Sequence, residues 1–588
     1  MKEFVHKLMT HRYLPVMVAL LAVVLTLPSL TVGWLGDDYW HRLFFCGKDI
    51  GLDQTMNPTE YPLDIFRFMT GDPEHIAKLR EIGIPWWTYE KVRGAFWRPV
   101  TAVTHWLDYQ LWPENPVWMH GQSVLWYGLL ALVVAIYYRR LMGVTWAAGL
   151  AGLLYAIDDA RGTPVGFLAN RNILICAFFG ILALIAHDRW RHGGKHRWAV
   201  VAVLLLLVSL LAKESGISVC AYLIAYALFI DSGSWRGRAA SLAPYLVVII
   251  VWRLVWTELG YGVYGLGGYV DPLQDPVHFI QALITRAPVL LLGQWALPPA
   301  DVYIIAGVNR AALIIGALIV MVLVGIGLIP LLQLNRISRF WLTGMILSVV
   351  PICSTFPSDR MLIFVGIGAM GLLGQFICSV WGRDKIQINN FLHRWLVVVL
   401  GVIFILIHLV EAPPVLMHRS ANPFGSRKLI HAYMVDVEMD KSVEQQDVIV
   451  VNPPVPLMVA YMPVMRAFAG EPVPRRVRTL SSGGTDVQVY RRGEKCLVVR
   501  PRGGYFTFYF DKLFRNEQHP LKLNEKIMMN GMTAEVTEIT DDKRPAEAAF
   551  YFDVPLEDKS LRWLQWKEGK FVPFVPPPVG EQAELRFK

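Results

Sequence analysis

The chain has 588 residues, 54% of them hydrophobic and only 18% charged, with a mean hydropathy of +0.40. That is too much apolar surface for a soluble protein of this length, so a polytopic α-helical membrane protein is expected. The formal net charge of +9 does not point to nucleic acid, because much of the Lys and Arg falls in short connections between apolar runs, where membrane topology accounts for it.

Apolar runs long enough to cross ~30 Å of hydrocarbon, about 20 helical residues each, recur as far as Val410 and then stop. About eleven spans are predicted, centred near residues 24, 127, 150, 177, 205, 222, 248, 320, 348, 370 and 402. Basic residues flank every second boundary: Lys2, Lys7 and Arg12; Arg139 and Arg140; Arg189, Arg191, Lys195 and Arg197; Arg236 and Arg238; Arg336 and Arg339; Arg383, Lys385 and Arg394. The positive-inside rule then makes the N-terminus cytoplasmic, and an odd number of spans puts everything after Glu411 outside. The first span has a basic lead but no small-x-small cleavage site, so it reads as a retained anchor. No Asn-x-Ser/Thr acceptor occurs, which fits a bacterial inner membrane with the tail in the periplasm.

The predicted organisation is a membrane domain over residues 1–411 and a soluble domain over 412–588. Within the former, a long first outer loop covers 34–98 and a second covers 258–300. Trp86, Trp87 and Trp97, mixed with charges and prolines, suggest that the first loop lies along the membrane interface. Gly260-Tyr-Gly-Val-Tyr-Gly265 formally matches a dinucleotide fingerprint, yet no strand-turn-helix unit surrounds it, so the match is discounted. The tail alternates in strand fashion at 447–451, 486–490, 496–500, 505–510, 532–539 and 549–554. A β-rich α+β domain follows, its part after Val487 a sandwich or small barrel, with binding or scaffolding as its default role. The six cysteines show no metal-binding spacing; Cys46 and Cys496 share a side and are a candidate pair. No metal or cofactor is signalled, although a divalent ion is compatible with the outer carboxylates.

Chemistry concentrates on the outer face. Gly36-Asp37-Asp38-Tyr39 puts two carboxylates directly after the first span, where they can take a proton from a hydroxyl or simply cap a helix. Arg98, in Phe96-Trp-Arg-Pro99, is followed by His105, Asp108 and His120 and either snorkels to headgroups or holds a phosphate. Asp158 and Asp159 begin a short outer connection that ends at Arg171, a charge opening an apolar span and so in need of a partner. Lys213 and Glu214 share a turn between two apolar helices, a self-neutralising pair or a site. Arg360, in Ser358-Asp-Arg, sits at the outer end of a span, paired with Asp359 or free for an anion.

The order of these motifs, with Leu107-Asp-Tyr109, Asn115-Pro116, Ala169-Asn-Arg171, Lys213-Glu-Ser215 and Ser358 through Gly366, resembles integral-membrane glycosyltransferases of the GT-C superfamily. The likeness is greatest to bacterial and TMTC-type relatives of protein O-mannosyltransferases, and it covers residues 13 to about 410. It implies a polyprenyl-phosphate-linked sugar donor, inversion at the anomeric carbon and a base among Asp37 and Asp38. Phosphate contacts would fall to Arg360, Lys213, Arg171 and Arg98, with Asp158, Asp159, Glu214, His105 and His120 as further site candidates. Two departures stand out: Asp37-Asp38 where relatives often have Asp-Glu, and Asp158-Asp159 with Pro164 where TMTC-type relatives have His-Pro and Glu. The tail shows no 34-residue repeat of the tetratricopeptide kind. The acceptor, whether glycan, lipid or protein, stays open. A transporter or flippase of lipid-linked sugars is the alternative; it predicts ionisable residues at mid-membrane and an inverted repeat, whereas here the ionisable residues gather at one face.

Overall fold

A computed structural model describes residues 2–48, 50, 63–305, 307–382, 390–425, 431 and 434–587. Arg383 and Lys385, two of the expected flanking cations, lie outside the described residues. Among those described, eight helices are long and apolar enough to cross a membrane, and the protein is a multi-pass membrane protein. Seven coincide with expected spans: Leu14–Thr31, Pro116–Met142, Leu168–Arg191, Trp235–Glu258, Arg310–Leu334, Ile363–Trp381 and Phe391–Ala421. Four further expected positions carry shorter apolar helices, Trp146–Ile157, Arg197–Ala212, Glu214–Phe229 and Arg336–Ile352.

Side-chain caps mark where several helices start. Asn115 accepts from the Val117 amide at 3.1 Å, and Asn309, Asn335 and Asn390 do the same for Ala312, Ile337 and His393. Helix Ile363–Trp381 is buried almost throughout and Leu168–Arg191 nearly as much, so these two form the centre of the bundle. Arg310–Leu334 and Trp235–Glu258 leave broad apolar faces open for lipid.

The eighth long helix, Pro276–Trp295, lies within the segment expected to be the second outer loop. It begins with Asp275, which meets Gln518 of the tail, and ends just before Ala300, whose amide donates to Asp359 at 2.8 Å. Both ends therefore face groups on the tail's side, and the alternation of the other helices is unchanged. On the opposite side, Arg191 pairs with Asp231 at 2.7 Å, Arg140 with Asp188, and Arg139 donates to the carbonyl of Arg12 at 3.0 Å. These flanking basic residues lie at the helix ends remote from the tail.

The last long helix passes the expected boundary at Glu411 through a π-helical turn, Leu406–Glu411, and continues to Ala421. Thirteen strands are described. Three make a small sheet of outer loops: β1 Arg67–Thr70, β2 Arg93–Ala95 and β3 Gly262–Tyr264, in that order and antiparallel. The glycine run that mimicked a dinucleotide fingerprint is this edge strand β3. The tail holds β4 Asp447–Val450, β5 Arg476–Thr479, β6 Val487–Gly493, β7 Cys496–Pro501, β8 Lys526–Met529, β9 Met532–Ile539, β10 Pro545–Phe552, β11 Leu561–Lys567, β12 Lys570–Pro573 and β13 Gln582–Leu585. They form a six-stranded sheet, β13-β6-β7-β10-β9-β8, and a four-stranded sheet, β12-β11-β4-β5. Parallel pairing of β4 with both β5 and β11 makes the smaller sheet mixed, with helices Pro456–Val459 and Met462–Ala469 in the β4 to β5 crossover.

One apolar cluster spans both tail sheets, and Trp86 and Trp87 of the first outer loop sit inside it, 1% and 0% exposed. Their indole N–H groups donate to the carbonyls of Leu480 at 3.3 Å and Asp511 at 3.2 Å. This corrects the expectation of an interfacial loop: the two rings have left the membrane surface for the tail's core. Arg478 reinforces the junction by donating to the Arg80 carbonyl at 2.7 Å and pairing with Glu81. All six cysteines, Cys46 and Cys496 included, are free thiols.

Candidate active site

A cavity of about 1900 Å³ opens where the tail meets the tail-side ends of the helices. Its polar lining includes Asp37, Asp301, Ser358, Arg360, Arg419 and Tyr461, as well as Lys48, Asp64, Arg67 and His75, and the rest is largely apolar, Phe356, Phe508 and Phe510 among it.

Asp37 and Asp38 open the helix Asp37–Cys46, but they do different things. Gly36, with φ of 46°, turns the chain sharply at the end of the first span, and its lack of a Cβ makes that conformation cheap. Asp38 then points back into the protein. It is 1% exposed, its Oδ2 accepts from the Leu35 amide at 3.0 Å, and its Oδ1 accepts from the Ala169 amide at 2.7 Å. Burial raises its pKa to about 8, against the pull of those two amides. Asp38 therefore ties the first outer turn to Ala169 and does not line the cavity, and the helix has no side-chain cap of the expected kind. Asp37 instead faces the cavity. Its Oδ1 accepts from the Tyr461 hydroxyl at 2.5 Å, and Oδ2 has no hydrogen bond among the described residues. Burial raises its pKa, while the Tyr461 hydrogen bond and the charges of Arg360 and Arg98 hold it down.

Arg360 also faces the cavity. Its guanidinium lies 5.5 Å from the Phe356 ring centroid, and it has neither ion pair nor side-chain hydrogen bond among the described residues. The expected alternative, pairing with Asp359, does not occur: Asp359 turns to Arg419 at 2.7 Å and to the Ala300 amide. Arg419 collects three carboxylates, Asp359, Asp159 at 3.1 Å and Asp301 at 3.8 Å. Burial, with repulsion from Asp158, raises Asp159 to about 6, and burial, with repulsion from Asp301, raises Asp359 to about 7.

Behind Arg360, Arg98 places Nη2 2.9 Å and Nε 3.0 Å from the same Glu214 oxygen. The neighbouring Lys213 is buried, with only a long 3.4 Å contact to the Asn170 amide oxygen. Its burial, and the charges of Arg98 and Arg360, depress its pKa well below the usual lysine value. These three cations adjoin one another, but only Arg360 lines the cavity.

Arg171 differs from its expected phosphate-binding part. It is wholly buried and donates to Asp108 at 2.6 Å, Ser123 at 2.9 Å, the Met119 carbonyl at 2.6 Å and Gln122. Four of its five N–H donors are consumed by the protein, which makes it a buried bracket between helices. Asp158 is likewise enclosed, paired with Arg161 at 3.0 Å and accepting from Gln294 at 3.1 Å. Gly366 makes room for this arrangement, since a Cβ there would overlap the Arg161 guanidinium. His120 braces the Gly33 carbonyl at 2.8 Å. His105 is buried against His41, ring centroids 5.1 Å apart, and burial lowers both pKa values, that of His41 to about 3. Neither His105 nor His120 lines the cavity.

Sequence reasoning missed Tyr461, Asp301 and Arg419. Only Arg419 carried a signal, a cation at the outer end of a span. The fold and the site together define a multi-pass membrane protein whose tail closes one wall of a polar cavity at the membrane boundary. No protein-family model matches the chain, and no curated protein matches it. Among solved structures, the chain is similar to the crystal structure of an Archaeoglobus fulgidus oligosaccharyltransferase complexed with zinc and sulfate, with a TM-score of 0.42 and 14% sequence identity over 79% of this chain. The alignment spans 62% of the archaeal chain, under two thirds of its length.

Proposed function

We propose that the protein is a GT-C type glycosyltransferase that moves a sugar from a polyprenyl-phosphate donor to an acceptor hydroxyl on the tail side of the membrane. The observation that carries this reading is a carboxylate, Asp37, with one oxygen not hydrogen-bonded and a guanidinium, Arg360, not ion-paired among the described residues, both lining one cavity at the ends of membrane helices. The cavity exceeds the ~300–1,000 Å³ typical of single-ligand sites, so donor headgroup and acceptor fit together. The flanking basic residues lie at the opposite helix ends, which by the positive-inside rule supports an extracytoplasmic cavity and tail, periplasmic if the membrane is a bacterial inner membrane.

In the reaction, Asp37 Oδ2 takes the acceptor proton as the acceptor oxygen bonds to the anomeric carbon. The bond from that carbon to the phosphate oxygen breaks on the opposite face, inverting the centre, and its electron pair leaves with the lipid phosphate. Arg360 meets the developing charge, while Arg98 behind it is already paired with Glu214. A donor of this kind at an oxyanion typically contributes ~3 kcal/mol to the transition state. A carboxylate, here made more basic by burial, serves as base because the hydroxyl acidifies only as its bond to carbon forms.

The test uses the full chain in nanodiscs with radiolabelled undecaprenyl-phosphate glucose, mannose or galactose, and water as acceptor. Release of free sugar is expected for at least one donor, with a raised donor KM in Arg360→Gln. Passage of intact donor across a proteoliposome membrane without sugar release would instead establish the transporter reading.

A further inference from the structure

Tyr461 belongs to the tail, 424 residues from the carboxylate it touches. It is 5% exposed, and its ring packs against Trp40, one turn along the helix from Asp37, with centroids 6.4 Å apart. Its backbone is held at both ends: its amide donates to Met458 at 3.1 Å, and its carbonyl accepts from Met465 at 2.9 Å. The residues just before it, Pro454, Val455, Leu457, Met458 and Ala460, line the same cavity. The phenol therefore reaches Asp37 from the tail's wall of the site.

We infer that Tyr461 is a positioning residue, fixing Asp37 through Oδ1 so that Oδ2 is presented to an acceptor lying against the tail. The inference rests on Asp37 being the base. Its geometric basis is the division between the two oxygens of this cavity-lining residue, one held at 2.5 Å by a buried donor, the other without a hydrogen-bond partner among the described residues. Asp38 shows the contrast, with both oxygens consumed by backbone amides. A free carboxylate at the start of a helix would rotate about its side-chain bonds; the phenol selects one orientation. The tail then becomes part of the reaction site.

The groups facing Asp37 are Arg360 from the segment before Ile363, Arg98 ahead of the helix Pro99–Leu111, Asp38 on its own helix and Tyr461 from the tail. Tyr461 favours the ionised carboxylate, as do both arginines, while burial opposes it. Removing the hydroxyl alone therefore moves the acidic limb of kcat/KM to higher pH.

The experiment follows the pH profile of sugar release from whichever undecaprenyl-phosphate hexose the wild type turns over. Tyr461→Phe is expected to lower kcat about tenfold, leave the donor KM unchanged and shift the acidic limb upward by about one pH unit. Fluorotyrosine at position 461, a stronger donor of nearly the same shape, is expected to shift the limb the other way, and it answers the question even if Tyr461→Phe folds poorly. A merely structural Tyr461 would leave the limb in place in both proteins, and that result overturns the inference. Full turnover in Asp37→Asn would overturn the base assignment itself; loss in Asp37→Asn with a wild-type profile at Tyr461→Phe would overturn this inference alone.

Discussion

Replacing each of the two adjacent aspartates by asparagine separates their roles. Asn at position 38 keeps one carbonyl oxygen but turns an NH2 group toward an amide donor, so one of the contacts at 3.0 Å and 2.7 Å is lost. A hydrogen bond contributes about 0.5–1.5 kcal/mol and an orphaned buried N–H costs about 1–3 kcal/mol more, so Asp38→Asn is expected to lose about 2–4 kcal/mol of stability. Asn at position 37 still accepts from Tyr461 through its carbonyl oxygen and loses only basicity and charge, so its stability should stay within about 1 kcal/mol of wild type. Turnover reverses the pattern. Loss of a general base costs about 10²–10⁴-fold, so Asp37→Asn should be stable and nearly inactive, while Asp38→Asn should be less stable and active per folded molecule. Unfolding midpoints of the full chain in nanodiscs, read beside release of labelled sugar, measure both quantities on one preparation. An Asp38→Asn protein that is inactive at wild-type stability, beside an active Asp37→Asn, would refute the division of roles.

Further expectations follow from other buried groups. Arg171→Met leaves Asp108 buried without its cation and should cost about 3–5 kcal/mol, most of it recovered in the Arg171→Met/Asp108→Leu double variant, as read by unfolding midpoint. Trp86→Ala removes a ring that is 1% exposed and should cost about 3–5 kcal/mol, seen as faster proteolysis between residues 63 and 98 with the membrane helices intact. Arg419→Gln leaves Asp159 and Asp359 without their shared cation. Both have folded-state pKa values raised above the unfolded ones, so each binds more protons folded than unfolded, and stability falls as pH rises from about 4 through about 7. The gap in unfolding midpoint between wild type and Arg419→Gln should therefore be wider at about pH 8 than at about pH 5.

Hydropathy located the spans because lipid demands long apolar helices, and a local average sees them. It passed over Pro276–Trp295, where Gln281, Thr285 and Arg286 dilute the apolar face and Gly and Pro crowd the approach. Alternation marked β4, β6, β7, β9 and β10, but it also suggested a strand at 505–510, where turns and a 3-10 helix lie, and it passed over β5, β8, β11, β12 and β13; the parallel pairing of β4 with β11 joins segments more than a hundred residues apart, and no local pattern encodes that. At the site, Asp37 and Arg360 stood out as charges beside apolar runs. Arg171 did too, and for it the same signal meant a buried bracket, because the sequence does not say whether a charge at a span's end meets protein or substrate. Tyr461 carried no signal: a tyrosine in a tail of mixed composition acquires meaning only from what it touches.

The junction of Trp86 with Leu480 also sets a clock. The two residues are 394 positions apart, and at about 5–20 residues per second Leu480 is made roughly 20–80 s after Trp86, with β10 and β11 of the same core later still. For that interval the two rings have no core to enter, and the water-hydrocarbon boundary is where exposed indoles rest most favourably. An interfacial first loop, wrong for the finished protein, then describes the nascent one: the membrane surface holds Trp86 and Trp87 in trust until the tail arrives to withdraw them.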